Sequence, residues 1–472
     1  MNSRATSTIA IPPRPFRVVR CLGLFAIVAS LSGCTSHYDR IWSVREAYFA
    51  GHLVEAEAQI EKQLQKNKRE ADAFLLDKAM LELAAGRPKN AERILRGVRD
   101  RFDHLEEKNV GEFTVSMLTD DTRRAYAGED YEKVLIRAML SLTNLMSDGG
   151  DAGAYALQVV DKQQQIIDAV IEKQKAVSEK EKTGTDKPPV ELAYKQVALG
   201  PYIRAMLAEE SPLTLEEAAR ARVQVANWEP TFRDAQADVQ RARYEKPVAP
   251  GNGVLYVFAL VGRGPIKQEK EEIPTQAALL IADRIVNAFS KRSIPPTLAP
   301  VKVPQVINFP SIAEAVSVRV DGEVKGQTAT IVDVGTMAAR QQEARYAEVI
   351  ARAVARRVIK KGAIYAVQEV ADVNKGSALS LVAMAAGIAW EATENADTRC
   401  WGLLPDTIQV LRIELPVGDH EIALRPAARG GEFASSARTQ VTILDGRNTY
   451  LMGTLPASQF VGQLLTSGGS DE

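Results

Sequence analysis

The sequence predicts an α+β protein in which an N-terminal all-α helical array precedes a mixed α/β region and a small C-terminal antiparallel β module. Three observations support this. Apolar residues recur every three or four positions from Tyr38 to about residue 105, as on the buried faces of amphipathic helices, and further helical segments follow to about residue 245. Beyond residues 247–253 they fall in short runs rich in β-branched residues. Near the end of the chain, turns containing Gly and Asp separate runs of strand length.

These patterns divide the chain into five regions. They are a signal peptide over 1–33, a helical domain over 34–245, a mixed α/β region with a proline-rich connection over 246–400, a β module over 401–465 and a disordered tail over 466–472. Strands are predicted at 254–261, 316–320, 329–334, 406–415, 420–424, 439–444 and 449–453. Helices are predicted near 275–289, 336–361 and 377–392; the last is interpreted as buried, with a membrane-dipping element as the alternative. The proline-rich stretch 295–310 is predicted to run extended across a surface, because proline cannot continue a helix.

The first 33 residues have the three parts of a secretion signal. No acidic residue precedes Cys34, and the basic residues before it are Arg4, Arg14, Arg17 and Arg20. The apolar run 21–31 is too short to span a bilayer permanently. It ends in Leu31-Ser32-Gly33-Cys34, which resembles the lipobox of bacterial lipoproteins. We therefore expect cleavage before Cys34 and acylation of its thiol; the alternative is a buried hydrophobic helix that ends in a cysteine.

An acylated Cys34 would anchor the mature protein to a membrane. Each buried CH₂ of an acyl chain such as palmitate contributes about 0.8 kcal/mol, so two or three chains hold firmly. Thr35 follows the cysteine, where an aspartate would resemble the inner-membrane retention signal of enteric bacteria. The resemblance therefore implies a lipoprotein of the outer membrane that faces the periplasm.

Charge and cysteine content exclude several classes of protein. The chain has 59 basic and 60 acidic residues, and loss of the four signal arginines would leave the mature part more acidic. Nucleic acid is therefore not expected as a partner, because phosphate binding needs a basic surface. Cys21 would leave with the signal and Cys34 would carry lipid, so Cys400 is left alone. No disulfide, metal site or cofactor is expected.

A repeated turn predicts how the helical half is built. Gly51 to Ala56 and Gly86 to Ala91 share a Gly-x₄-Ala frame about 35 residues apart, and Gly128 begins a looser copy. The frame resembles the tetratricopeptide repeat (TPR), in which glycine turns the chain between helices and alanine lets them pack closely. The resemblance implies a TPR-like array with a concave surface for protein partners. An ordinary helical bundle is the alternative.

Three further motifs resemble segments of an uncharacterised family of bacterial TPR-like envelope lipoproteins. They are Tyr126-x-Gly128-x-x-Tyr131-Glu132, Gly262-Arg263-Gly264-Pro265-Ile266-Lys267 and Asp397-Thr398-Arg399-Cys400-Trp401-x-x-Leu404-Pro405. With the lipobox they cover most of the chain in order, although Cys400 stands where the resemblance predicts a serine. The family has no assigned activity. The resemblance therefore implies an envelope location and this architecture, with a hint of a role in cell-wall assembly.

An arginine stripe is the first candidate for partner binding. Arg345, Arg352 and Arg356 follow one another at spacings of seven and four, which places them on one face of a predicted helix. Such a stripe could bind an anionic partner. The alternative is a solvated face whose arginines pair with Glu343 and Glu348.

Two shorter segments supply the other candidates. Lys267 ends a glycine-rich turn, but Pro265 removes a donor that a phosphate loop would need, so we expect a tight turn whose lysine contacts a partner. Arg399 and Trp401 could anchor an interface, since such residues dominate many binding surfaces. For Trp401 the favoured interpretation is a buried ring that joins the apolar helix to the last sheet.

No catalytic site is predicted. The histidines at 37, 52, 104 and 420 are not spaced as metal ligands, and the chain has no Gly-x-Ser-x-Gly turn. Only a pair of carboxylates hidden among the many acids could supply hydrolytic chemistry. We therefore expect a non-enzymatic scaffold for envelope proteins. Binding of cell-wall glycan or peptide by the C-terminal half is the alternative.

Overall fold

Helices build the first half of the chain and strands dominate the second, so the predicted α+β class is confirmed. The computed structural model describes residues 36–109, 125–181, 196–244, 248–289, 300–370 and 395–467. Its helices are α1 His37–Phe49, α2 Leu53–Lys66, α3 Ala71–Ala84, α4 Pro88–Asn109, α5 Asp130–Leu145, α6 Ala152–Glu181, α7 Leu199–Ala208, α8 Leu215–Trp228, α9 Ala235–Tyr244, α10 Gln276–Phe289 and α11 Val334–Val370. Its strands are β1 Asn252–Val261, β2 Ile266–Glu272, β3 Val301–Ile307, β4 Ala315–Val320, β5 Glu323–Gln327, β6 Ala329–Asp333, β7 Thr407–Pro416, β8 Gly418–Ala428, β9 Gly431–Glu432, β10 Ala437–Ile443, β11 Asn448–Leu455 and β12 Val461–Thr466.

Two predicted segments lie outside the described residues. They are the secretion signal with Cys34 and the apolar helix near 377–392. Among the helices that the structure does describe, none is both long enough and apolar enough to cross a membrane.

The strand β1 lies in the middle of a five-stranded sheet with the order β12-β11-β1-β7-β6. It runs parallel to β11 and antiparallel to β7. Alternate side chains of a strand point to opposite faces. Tyr256 and Phe258 accordingly pack in a core shared with the helices, whereas Leu255 and Val257 pack in a core shared with a second sheet. Because both faces of β1 are covered, its sequence is continuously apolar.

The second sheet has the order β10-β8-β4-β5. Strands that follow residue 400 divide between the two sheets, since β7 and β11 pair with β1 while β8 pairs with β4. Each of the two sheets therefore combines strands from before and after the predicted boundary at residue 400. Residues 401–465 do not form a sheet of their own. The reason is that β1 is buried, so both of its edges need hydrogen-bonding partners, and these come from later in the chain.

Glycines form the turns between the first helices, as the repeated frame predicts. Gly51 between α1 and α2 and Gly86 between α3 and α4 both have a φ of +82°. Glycine adopts this left-handed conformation without the strain that a side chain would bring. Ala56 and Ala91, which end the two frames, are fully buried, so the helices after each turn approach their neighbours closely.

A buried ionic cluster ties the later helices to the central sheet. Arg222 of α8 pairs with Glu209 and with Asp238 at N–O distances of 2.9 Å. It also donates to the hydroxyl of Tyr256 on β1 at 3.2 Å. A buried charge is tolerated only when it is paired. The cluster therefore holds α8 and α9 in one position on β1.

The two-stranded sheet β2-β3 forms a separate apolar core with α10 and α11. The proline-rich stretch is extended from Val301 to Ile307, as predicted, but it does not lie on a surface. Val301 and Val303 are buried in this core. Pro304 fits because the outer edge of β3 pairs with no described strand and instead bonds to the side chain of Gln342, so a missing N–H removes no ladder hydrogen bond.

The predicted disordered tail starts too early. The strand β12 continues to Thr466. Ser467 N donates to Tyr450 O at 2.9 Å, and Tyr450 N donates to Ser467 Oγ at 2.9 Å. Hydrogen bonds to β11 thus include residue 467 in the sheet, and residues 468–472 lie outside the described ranges.

Candidate binding cleft

A cleft of about 330 Å³ lies where the N-terminal end of α5, the β2-β3 sheet, α11 and the segment 396–399 meet. Its charged lining consists of the basic Lys267, Lys302, Arg345, Arg352, Arg356 and Arg399 and the acidic Glu129, Glu348 and Asp397. The basic groups outnumber the acidic ones, although the whole chain has slightly more acidic than basic residues. Asp130 and Glu269, just outside this lining, pair with Arg345 and Lys302, so the cleft carries a small excess of basic groups on a slightly acidic protein.

The arginine stripe of α11 lies along one wall of the cleft. Arg345, Arg352 and Arg356 all line it. Arg352 Nη2 donates to Glu348 at 2.6 Å, one helical turn earlier, and Arg345 pairs with Asp130 at the start of α5. The side chains of Arg345 and Arg352 are 43% and 42% exposed. The stripe therefore faces the cleft and nearby acids at once.

Lys267, the second predicted contact, follows the glycine-rich turn and lines the cleft. A Cβ on Gly264 would lie 2.4 Å from the carbonyl oxygen of Leu404, so the turn is packed tightly against the next segment of chain and is not a phosphate loop. The ammonium of Lys267 pairs with Glu129. Burial would lower the pKa of Lys267, but the Glu129 carboxylate outweighs burial and raises that pKa.

Arg399 and Trp401 differ in how they meet the cleft. Arg399 lines it, accompanied by Asp397, whose carboxylate accepts hydrogen bonds of 2.8 and 2.7 Å from its guanidinium. The guanidinium also lies 5.2 Å from the ring centroid of Tyr126. Trp401 is fully buried in the core that the helices share with the central sheet. It is a packing residue and not an exposed interface anchor, because so large an apolar ring gains more from burial than from exposure.

Beneath the cleft lies a buried carboxylate whose role no sequence pattern predicts. Glu132 of α5 accepts hydrogen bonds from the main-chain N–H of Trp401 at 2.7 Å and of Glu129 at 2.9 Å. The hydroxyls of Tyr126 and Tyr131 donate to the same carboxylate. Burial raises the pKa of Glu132. The sequence marks Glu132 only as a member of the first of the three motifs. Its partner, the main-chain N–H of Trp401, lies too far along the chain for a local pattern to indicate it.

Two more buried ionisable residues, Asp77 and Arg45, hold the neighbouring turns. Asp77 of α3 accepts a hydrogen bond from Leu403 N at 2.7 Å. Arg45 of α1 donates to the carbonyl oxygen of Gly264 at 3.1 Å and to that of Gly402. Burial raises the pKa of Asp77 well above its usual value and lowers that of Arg45 to about 10. The three sequence motifs thus meet in one place, held by ionisable side chains of α1, α3 and α5.

This arrangement suits ion pairing better than covalent chemistry. Burial opposes ionisation of Glu129 and Asp397, but Lys267 and Arg399 outweigh it and hold both pKa values below their usual range. Neither carboxyl is therefore poised as a general acid. Burial raises the pKa of Cys400 to about 12, so this thiol is not an activated nucleophile. Within the described ranges, no group of three or more His, Cys, Asp or Glu side chains could hold a metal ion.

Comparisons with known proteins find no match for this chain. No protein-family model, no curated protein and no solved structure matches it. The assignment of a function therefore rests on the chemistry of the cleft and on the signals in the sequence.

Proposed function

We propose that this protein is a non-enzymatic lipoprotein of the bacterial cell envelope that binds an acidic segment of a partner protein in the cleft. In this proposal Cys34 carries the lipid and holds the protein on the periplasmic side of the outer membrane. The first helices form a TPR-like array, which the left-handed turns at Gly51 and Gly86 support. One observation carries the binding proposal: basic side chains of β2, β3, α11 and the segment 396–399 line one cleft.

The chemistry of the cleft favours a carboxylate ligand. Guanidinium groups bind carboxylates through two parallel hydrogen bonds, which adds geometric selectivity to charge attraction. Ion pairs between half-exposed side chains, such as Arg352 with Glu348, contribute only about 0–1 kcal/mol. An incoming carboxylate can therefore replace Glu348 at little cost, and the excess of basic groups disfavours a cationic ligand.

The size of the cleft favours a short extended segment over a folded surface. Its volume of about 330 Å³ lies at the low end of the roughly 300–1,000 Å³ of ligand pockets. One or two side chains fill such a space. A partner would thus insert an acidic side chain, while the rest of its segment follows the wall formed by α11.

The test is crosslinking in cells, followed by recovery of the full-length protein and identification of what is bound. The variant R352Q/R356Q removes two cleft arginines, and Cys34→Ala removes the lipid site. R220Q is the matched control, because Arg220 makes the same kind of i,i+4 pair with Glu216 on α8 at 3.6 Å. We expect specific envelope proteins with the native chain and R220Q, and at least a tenfold loss with R352Q/R356Q.

Two results would contradict the proposal. Equal recovery of the same proteins with R352Q/R356Q would show that the cleft is not their binding site. Recovery of cell-wall polymer in place of defined proteins would favour the alternative function, binding of wall glycan or peptide. If Cys34→Ala loses every partner while R352Q/R356Q keeps them, binding requires the lipid anchor and does not require the cleft.

A further inference from the structure

A second surface, formed by α1 and the loop after β3, carries partly exposed aromatic rings. Tyr38 and Trp42 on α1 have ring centroids 5.5 Å apart, and Trp42 lies 6.5 Å from Phe309. The Trp42 residue is 37% exposed. Aromatic rings at the surface cost free energy unless something covers them. A binding partner that covers this cluster would therefore lower the free energy.

The loop between β3 and β4 extends the cluster. Asn308 Nδ2 donates to Gly335 O at 3.1 Å, and Ser311 Oγ donates to Ala313 O at 2.6 Å. Phe309 of this loop lies against Trp42, and Ile312, three residues later, is 57% exposed. We call Tyr38, Trp42, Phe309 and Ile312 the aromatic surface.

The length of chain before α1 indicates the occupant. Tyr38 follows Cys34 by only four residues, and four extended residues span at most roughly 14 Å. If Cys34 is acylated, lipid headgroups are within that distance of Tyr38. Tyrosine and tryptophan have an apolar body and a polar tip, and this makes them preferred residues at the membrane–water interface.

We propose that the aromatic surface inserts into the interfacial layer of the bilayer that holds the lipid of Cys34. This inference rests on the lipid anchor of the proposed function. Insertion would restrict the rotation that a single flexible tether allows and would give the protein one orientation on the membrane.

The charges around the aromatic surface predict the lipid dependence of insertion. Arg40 pairs with Glu70, and Arg263 lies near Glu46 at 3.9 Å. Arg45, whose guanidinium lies 5.0 Å from the Phe309 ring, is buried. The exposed basic groups at this surface are thus accompanied by acids, and attraction to anionic lipid contributes little. Burial of apolar surface drives insertion, which therefore occurs in zwitterionic bilayers and varies little with salt.

The test uses the purified, acylated full-length protein on phosphatidylcholine vesicles. An environment-sensitive fluorophore is attached at Ile312→Cys or, as the matched control, at Leu213→Cys, since Leu213 is an apolar residue that is 95% exposed in the turn before α8. Cys400 is buried and does not compete for the label. In parallel, vesicles with brominated acyl chains quench tryptophan fluorescence, with W42F as the variant that lacks the relevant ring.

We expect the Ile312→Cys label to shift to the blue when the protein binds vesicles, the Leu213→Cys label to keep its aqueous spectrum, and W42F to lose the bromine quenching. If bound protein leaves both labels in water, insertion is wrong while the anchor stands. A blue shift of the Ile312→Cys label without vesicles would assign the surface to contacts within or between protein molecules, which also refutes insertion. If the acylated protein does not bind vesicles at all, the proposed anchor fails, and this inference with it.

Discussion

The floor and the rim of the cleft are built from the same kinds of side chain, yet they serve different purposes. Behind the cleft lining, Glu132, Asp77 and Arg45 are at most 2% exposed, and we call these three residues the floor. On the rim, the side chains of Arg345 and Arg352 are 43% and 42% exposed. Water competes for the charges of the rim but not for those of the floor. Burial, and not residue type, therefore decides which charged groups hold the structure together and which remain in contact with solvent.

The floor residues link segments that lie far apart along the chain. Each buried acid accepts hydrogen bonds from main-chain N–H groups of the segment after residue 400, so removal of the acid leaves buried donors without partners. Rim pairs lose little when broken, because solvent replaces the lost partner. The expected consequences of substitution differ accordingly.

The largest effect is expected from Glu132→Ala. It removes the acceptor for Trp401 N, Glu129 N and two tyrosine hydroxyls, and the free energy of unfolding should fall by about 3–5 kcal/mol. Urea unfolding followed by circular dichroism measures the loss. Glu348→Ala, which removes an acid of the rim, is the matched control and should cost at most about 1 kcal/mol. Equal losses for the two variants would refute the distinction between floor and rim.

A somewhat smaller loss is expected from Arg45→Met. The variant keeps much of the packing volume but leaves the carbonyl oxygens of Gly264 and Gly402 without their donor, at a cost of about 2–3 kcal/mol. Arg45 also favours the ionised form of buried Asp77, against the effect of burial. The double variant R45M/D77N should therefore cost about 1 kcal/mol less than the sum of the single variants. Strict additivity in urea unfolding would show that the two side chains act independently.

Glu129 and Glu132 should give opposite dependences of stability on pH. Lys267 holds the pKa of Glu129 below its ordinary 4.5, so Glu129 contributes stability above about pH 4.5 that is lost as the pH falls through the lowered pKa. Burial raises the pKa of Glu132 above 4.5, so its contribution is present below about pH 4.5 and is lost as the pH rises through the raised pKa.

Urea midpoints across the acid and neutral range test these signs. Relative to the native chain, E129Q should lose less stability on acidification below about pH 4.5, because its side chain takes up no proton. E132Q should lose less stability as the pH rises above that value. A steeper acid loss in E129Q, or an unchanged neutral limb in E132Q, would contradict the assignments.

The smallest effect on stability is expected from Arg352→Gln on the rim. Its pair with Glu348 is half-exposed, so the free energy of unfolding should change by no more than about 0.5 kcal/mol. R220Q on α8 should behave alike in the same urea experiment. A loss of about 2 kcal/mol or more in R352Q alone would give Arg352 a structural role and weaken the case for binding.

Local patterns in the sequence determine several parts of this protein by themselves. The continuous apolar run of β1 identifies a strand covered on both faces, since no other arrangement hides eight such residues in extended chain. Glycine at residues 51 and 86 marks turns that only glycine forms without strain. The seven- and four-residue spacings put the arginines of α11 on one face, because helix geometry is the same wherever the helix lies.

Tertiary structure alone decides the rest. The strand β2 is largely charged and is recognisable only through its pairing with β3. The partner of Glu132 is the main chain of Trp401, 269 residues away, and the buried role of that tryptophan depends on the helices that cover it. Periodicity reports neighbours within a few residues, whereas a hydrogen bond between distant segments depends on how the whole chain packs. The arginine stripe can therefore be predicted from the sequence, whereas the cleft that it lines and the floor beneath it cannot.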